Sequence, residues 1–201
     1  LAQNDRPAKN VNIAEEKQAL RTLVKSAVAK LSSPDRSAAS NSICKRVIQS
    51  AEWAEAGSIL LFSPLPDEPD ISDLLASGLA TDKIVCLPRY LSESGRYEAA
   101  IIKTAESDLL QGKYGILEPS HQCAHLALNQ LDLMLVPGVA FAPGGARLGR
   151  GKGYYDRILK SVPARKIGIA FDEQITTHVP AEEHDQPVDA ICTPQNWIEA
   201  D

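Results

Sequence analysis

What this sequence lacks narrows its function first. No apolar stretch approaches the ~18 residues needed to cross a bilayer, and the opening LAQNDRPAKN is polar, unlike a secretory signal. No membrane partner is expected, and the expected compartment is the cytoplasm. A basic excess is missing too: 21 Lys and Arg stand against 26 Asp and Glu, a net charge of -5. General nucleic-acid binders are usually basic, so no nucleic-acid partner is expected. Four cysteines stand at 44, 86, 123 and 192, with no CxxC among them. Cys44, Cys86 and Cys192 lie in apolar runs, which fits buried, reduced thiols rather than a disulfide framework. There is no internal repeat and no low-complexity tract. At roughly 150 residues per domain, the 201 residues read as one domain, 1–201, with 1–11 as a flexible lead-in. No apolar pattern points to assembly, so a monomer is expected.

What is present is an alternation of helices and strands. Asn12 followed by Glu15 reads as an N-cap with a capping-box partner. Leu20, Leu23, Val24, Ala27, Val28 and Leu31 then fall at helical spacing and predict an amphipathic helix over 13–31. Ser33-Pro34 opens a second helix, with the serine as cap and proline at the first helical position, ending near Trp53. Strands are predicted over 58–62, over 83–87 (closed by Pro88), and over 97–103, 131–136, 166–171 and 188–193. Helices are predicted over 71–79 and 152–162. Residues 131–136 are apolar on both faces, as in a central parallel strand. The expected fold class is α/β, with a sheet covered by helices on both faces. Ligands in such folds bind beyond the carboxyl ends of the strands, where the loops after residues 62, 87, 136 and 171 open.

One segment carries chemistry: PGVAFAPGGARLGRGKGYYD, residues 137–156, running from a buried strand into a helix. Gly149, Gly151 and Gly153 alternate with Arg150 and Lys152. Glycines let backbone N–H groups approach a ligand closely, and a helix start adds partial positive charge. From Arg147 to Arg157 there are four cations and one carboxylate, a local +3. That is the shape of an anion site, most simply for phosphate; a basic turn without a ligand is the alternative. The nucleotide patterns fail. Walker A needs glycine at 146 and Ser or Thr at 153, where the chain has Ala146 and Gly153. Tyr154 stands where GxGxxG needs its last glycine. Asp156 suits magnesium beside phosphates, or a first-turn cap. Lys17 and Arg21 share one face of the first helix and flank its apolar stripe; taken alone, they are two solvated cations. His121 and His125 lack a third ligand and are read as non-functional. No Ser-His or Cys-His nucleophile arrangement is evident.

PGVAFAPGGARLGRGKGYYDR resembles the signature of the 5-formyltetrahydrofolate cyclo-ligase family, also called 5,10-methenyltetrahydrofolate synthetase. Lys17-Gln-Ala-Leu-Arg21, Pro66-Asp-Glu-Pro-Asp70, Gly112 to Pro119, and Glu183-His-Asp185 with Val188-Asp189 extend the resemblance over about 15–195. It implies a three-layer α/β sandwich with a mainly parallel sheet. It also implies ATP- and Mg²⁺-dependent closure of 5-formyltetrahydrofolate to 5,10-methenyltetrahydrofolate, giving ADP and phosphate through a phosphorylated formyl intermediate. By resemblance, ATP is bound by Lys17, Arg21, Arg147, Leu148, Gly149, Arg150, Gly151, Lys152, Gly153, Tyr154 and Tyr155. Arg147 and Lys152 are the catalytic pair. Glu68, Arg150, Gly151, Lys152, Gly153 and Tyr154 touch the folate, with Glu118 a weaker candidate, and Asp156 and Asp185 hold the metal. Asp156 and Asp185 are 29 positions apart, so only the fold can join them; Asp189 is a lesser neighbour. Two departures stand out: Ala142 replaces the aspartate the family often carries, and the stretch around Tyr97 matches poorly. Two competing readings remain. One is a phosphate-binding α/β enzyme such as a sugar-phosphate isomerase; the other is a degenerate relative that binds without turnover.

Overall fold

A computed structural model describes residues 12–112 and 115–200. The first helix, α1, spans Ile13–Val28, and the Asn12 side chain caps it by accepting the Ala14 N–H. The second, α2, spans Ser33–Ile48 and is capped by Ser32, one residue before the expected cap, which places Pro34 second in the helix. It does not run on to Trp53. The Ser50 hydroxyl accepts the Trp53 N–H and donates to the Val47 carbonyl, ending one helix and starting α3, Ala51–Glu55.

There follow β1 (Ser58–Leu60), α4 (Ser72–Leu79), β2 (Ile84–Leu91) and β3 (Arg96–Ile102). Pro88 does not close β2 as expected. Pairing with β1 reaches only Cys86, while pairing with β3 continues to Leu91. The missing N–H of Pro88 therefore faces the side where no strand needs it. Next come α5 (Ala105–Asp108), β4 (Leu109–Gln111), β5 (Leu117–Pro119), β6 (His125–Leu126), β7 (Leu133–Pro137), β8 (Ala140–Phe141) and β9 (Arg147–Leu148). The chain ends with α6 (Tyr154–Leu159), β10 (Arg165–Ile169), β11 (Ala190–Cys192) and β12 (Trp197–Glu199). The helix expected over 152–162 is thus shorter. Gly153 has φ +63°, outside the helical region, and Pro163 disfavours helical Val162. The edge strand β12 is an element the periodicity did not reveal.

The main sheet has eight strands in the order β12-β11-β10-β7-β1-β2-β3-β6. The run from β11 to β2 is parallel; β12 and β3 run against it, and β6, antiparallel to β3, runs with it again. The fold is α/β with a large, mainly parallel central sheet. Ile59, Leu133, Leu135, Ile167 and Cys192 pack with Ile43, Val47, Trp53 and Leu74 of α2, α3 and α4. The alternate residues Leu60, Met134, Val136 and Ile191 pack with Ile158 and Leu159 of α6. A third cluster seats Val24 and Val28 of α1 against Ala140, Leu148 and Phe171, beyond the strand ends. No described helix is long and apolar enough to cross a membrane.

From β1 the chain winds toward β2, and from β7 it winds the other way, toward β10. The strand order therefore reverses between β1 and β7, and the crevice at their carboxyl ends is where α/β sheets take ligands.

Candidate active site

Two loops meet in that crevice. The loop after β7 is the glycine-rich segment. Its start is pinned by the β8–β9 hairpin, where Val139 donates to the Leu148 carbonyl at 2.7 Å and Ala142 to that of Ala146 at 2.9 Å. Gly145 turns the hairpin at φ +81°, where an added Cβ would lie 2.3 Å from the Val188 carbonyl oxygen. Ala142, where the family often has aspartate, is buried beside Val24, Val28 and Phe171. A methyl group suits that apolar seat, and an unpaired carboxylate would not.

Helix α1 lies along this loop by the edge the sequence pointed to. Arg21 Nε donates to the Gly149 carbonyl at 2.9 Å. Lys17 is buried, its Nζ 2.6 Å from Asp185 Oδ2 and 2.7 Å from Glu182 Oε2. Glu182, His184 and Asp185 bring ligand atoms within 4.8 Å of one another, the one such metal-capable group among the described residues. Glu182 was not singled out in the sequence, and His184 stood there only inside the Glu183-His-Asp185 match, with no role given to it. Burial alone would raise the Asp185 carboxyl. The hydrogen bonds from Lys17 and from the Glu182 N–H hold it below the ordinary range instead.

Arg147 lies beneath the loop rather than on it. Its side chain is 2% exposed, with Nη2 2.5 Å from Asp156 Oδ1 and Nη1 3.2 Å from the Pro137 carbonyl. Its guanidinium also sits 5.8 Å from the Tyr155 ring centroid. Burial pushes the Tyr155 hydroxyl far up, so it stays protonated. Leu148 is buried in the α1 cluster, and Lys152 is exposed between Gly151 and Gly153. The side chain of Tyr154 lies outside the described residues.

The loop after β1 carries Glu68. Its Oε1 accepts from Arg150 Nε at 3.1 Å and Nη2 at 2.9 Å, and its Oε2 accepts the Leu65 N–H at 3.0 Å. Burial pushes the Glu68 carboxyl up in spite of these bonds. Glu68 lines a cavity of about 500 Å³ between α2, the β1 loop and residues 115–117, with Ser37, Asn41, Phe62 and Ile116 among its walls. Arg36 was not anticipated. It holds the loop by donating to the carbonyls of Pro66 at 2.9 Å and Val28 at 2.8 Å.

A sequence profile described as the 5-formyltetrahydrofolate cyclo-ligase family matches residues 13–194. The chain belongs to this family. A 5-formyltetrahydrofolate cyclo-ligase from Mus musculus is 30% identical over 192 residues, covering 90% of this chain and 95% of its own. A probable 5-formyltetrahydrofolate cyclo-ligase from Schizosaccharomyces pombe is 30% identical over 91% of this chain and 97% of its own. The NMR structure of a 5,10-methenyltetrahydrofolate synthetase from Aquifex aeolicus superposes with a TM-score of 0.82 at 31% identity, over 91% of this chain and 92% of that one.

The remaining candidates of this cyclo-ligase family member each have partners within the protein. Asp189 Oδ2 accepts the Lys166 N–H at 2.7 Å, at the start of β10. Glu118 stands on β5, packed against Gly112. His125 Nδ1 is 3.8 Å from Glu98 Oε2. Burial pushes the Cys44 thiol up to about 11 and those of Cys86 and Cys192 up to about 12. These three cysteines therefore supply no thiolate near neutral pH.

Proposed function

We propose that the protein closes 5-formyltetrahydrofolate to 5,10-methenyltetrahydrofolate with ATP and Mg²⁺, releasing ADP and phosphate. The observation that carries this reading is the junction of the two loops. Glu68, a buried carboxylate in the wall of a ligand-sized cavity, meets Arg150 of the glycine-rich cation loop. Family membership over 13–194 supplies the reaction. The same reading takes the architecture as a three-layer sandwich, supported by the helix clusters on alternate residues of the strands.

In this reading the cavity takes the folate, and Glu68 accepts hydrogen bonds from the aminopyrimidine edge of the pterin. Arg150, Lys152 and the backbone of 148–155 hold the ATP phosphates, with Lys17 and Arg21 on the nucleotide from the α1 side. Asp156 and Asp185 are the metal ligands. Both are carboxylates, the hard oxygen ligands Mg²⁺ takes, although the group whose ligand atoms converge is Glu182, His184 and Asp185, without Asp156. Asp156 uses only Oδ1 toward Arg147, and Asp185 uses Oδ2 toward Lys17 and the Glu182 N–H. When bound, Mg²⁺ supplies charge neutralisation for the phosphates.

The formyl oxygen on N5 attacks the γ-phosphorus of ATP, and ADP leaves. N10 then attacks the activated carbon, and phosphate leaves. The residues position the two substrates and neutralise charge; no protein nucleophile is required. Tyr154 is assigned to the substrate side by resemblance alone. The four free thiols support a reducing compartment, the cytoplasm.

The test follows the near-ultraviolet absorbance of the methenyl product with 5-formyltetrahydrofolate, ATP and Mg²⁺. Growth that requires all three is expected. Folate binding without growth would move the reading to a degenerate binder. Neither growth nor folate binding would leave a phosphate-binding α/β protein, with sugar phosphates the next substrates to try.

A further inference from the structure

The Arg150 side chain ties the glycine-rich loop to the wall of the cavity. It places both Nε and Nη2 on a single oxygen of Glu68 and puts Nη2 2.5 Å from Asp67 Oδ1. The two carboxylates differ in kind. The Glu68 side chain is 6% exposed and faces the cavity, whereas that of Asp67 is 41% exposed and does not line it. Arg150 itself lies outside the cavity lining, so it reaches Glu68 from behind.

We propose that Arg150 couples the two substrate sites, so that nucleotide phosphate and folate each tighten the binding of the other by competing for opposite ends of the Arg150–Glu68 pair. The inference rests on the proposed function, which puts phosphate on Arg150 and the pterin on Glu68. Phosphate that draws the guanidinium away leaves Oε1 of a buried carboxylate without a donor. Such an orphan is costly, and the N–H groups of an aminopyrimidine relieve it. In the other direction, a pterin on Glu68 releases the guanidinium to phosphate at lower cost. Linkage makes the two effects equal. Burial pushes the Glu68 carboxyl up even with Arg150 present, so its need for a partner grows once Arg150 leaves. Arg150 thereby acts as a positioning residue for Glu68, in addition to any contact of its own with phosphate.

Calorimetric titration tests this without turnover. The probe is 5-formyltetrahydrofolate, titrated with and without Mg²⁺ and a non-hydrolysable ATP analogue. In the wild type the analogue is expected to tighten folate binding roughly tenfold, within the usual range of such couplings. In Arg150→Ala the folate Kd is expected to be the same with and without the analogue. Asp67→Asn removes the other partner of Arg150 but no cavity carboxylate, so it is expected to keep the coupling. Circular dichroism checks that both variants fold; Arg150 lies in an exposed loop, and Arg150→Gln is the reserve. Independent binding in the wild type, or coupling that survives in Arg150→Ala, overturns the inference alone. Loss of coupling in Asp67→Asn as well overturns it in favour of a general charge effect. A wild type that binds neither folate nor the analogue overturns the proposed function and this inference with it.

Discussion

Replacing Lys17 by methionine tests the cluster that joins α1 to the 182–185 turn. The Lys17 side chain is 8% exposed, and its partners Asp185 and Glu182 are 17% and 45% exposed. A hydrogen bond to a charged group contributes about 1.5–3 kcal/mol, and an exposed pair such as that with Glu182 only about 0–1 kcal/mol. Methionine keeps most of the apolar stem, so the loss is about 2 kcal/mol, mainly from the Asp185 contact. For a chain of this length that lowers Tm by about 4–8 °C. The pH dependence follows from both partners. Burial alone would lower the Lys17 ammonium, but its two carboxylates hold it above its ordinary value, while Asp185 is held below its own. A depressed carboxyl contributes stability above its unfolded value and loses it as pH falls through the folded one. A raised ammonium contributes below its unfolded value and loses it as pH rises through the folded one. The Tm deficit of Lys17→Met is therefore largest near neutral pH and shrinks below about pH 4 and above about pH 10. Scanning calorimetry across that range reads it. A deficit under about 1 °C at neutral pH, or one that is unchanged in acid, would refute the argument.

Three further variants address the loop. Lys152→Ala is expected to abolish cyclisation with Tm unchanged; activity near wild type in the absorbance assay would remove Lys152 from the phosphate site. Asp156→Asn is expected to abolish cyclisation and also to lower stability by about 1 kcal/mol, because the amide oxygen still accepts from the buried Arg147 but without the charge. Gly145→Ala forces a methyl group to 2.3 Å from the Val188 carbonyl oxygen at φ +81°. A loss of about 1–3 kcal/mol in urea denaturation is expected, and a wild-type midpoint would mean that the hairpin does not seat against Val188.

Much of the fold was legible because its signals are local. The apolar stretch at 131–136 read as a central strand buried on both faces, and the strand there pairs on both sides, with β1 and β10. The spacing of Lys17 and Arg21 put them on one helix edge, and that edge faces Gly149 and Asp185. What was missed depended on tertiary context. Ser50 looks like any polar residue inside a helix until its hydroxyl takes the Trp53 N–H. Pro88 reads as a strand breaker because sequence cannot say that β1 stops short of it. The short β12 survives by pairing with β11, not by its own periodicity. In the site, the sequence showed Arg147 as one of four cations in a +3 loop and gave no sign that it is buried. Its burial against Tyr155 and Asp156 follows from the hairpin that turns it inward.

The pairing of the site's charges bears on which ligand it is built for. The loop alone carries an excess of cations, as a site for a bare anion would. The fold pairs part of that excess: Lys17, Arg147 and Arg150 face Asp185, Glu182, Asp156, Glu68 and Asp67, while Arg21, Lys152 and Arg157 add further cations beside them. A bare sugar phosphate entering such a site would have to draw cations from carboxylates and leave those carboxylates uncompensated, several of them partly buried. A nucleotide that arrives with a divalent cation avoids this cost, because the cations turn to phosphate while the released carboxylates gain a metal. Under the proposed function, this pairing suits a metal–nucleotide pair better than a bare sugar phosphate, and its acids come from three segments far apart in the sequence.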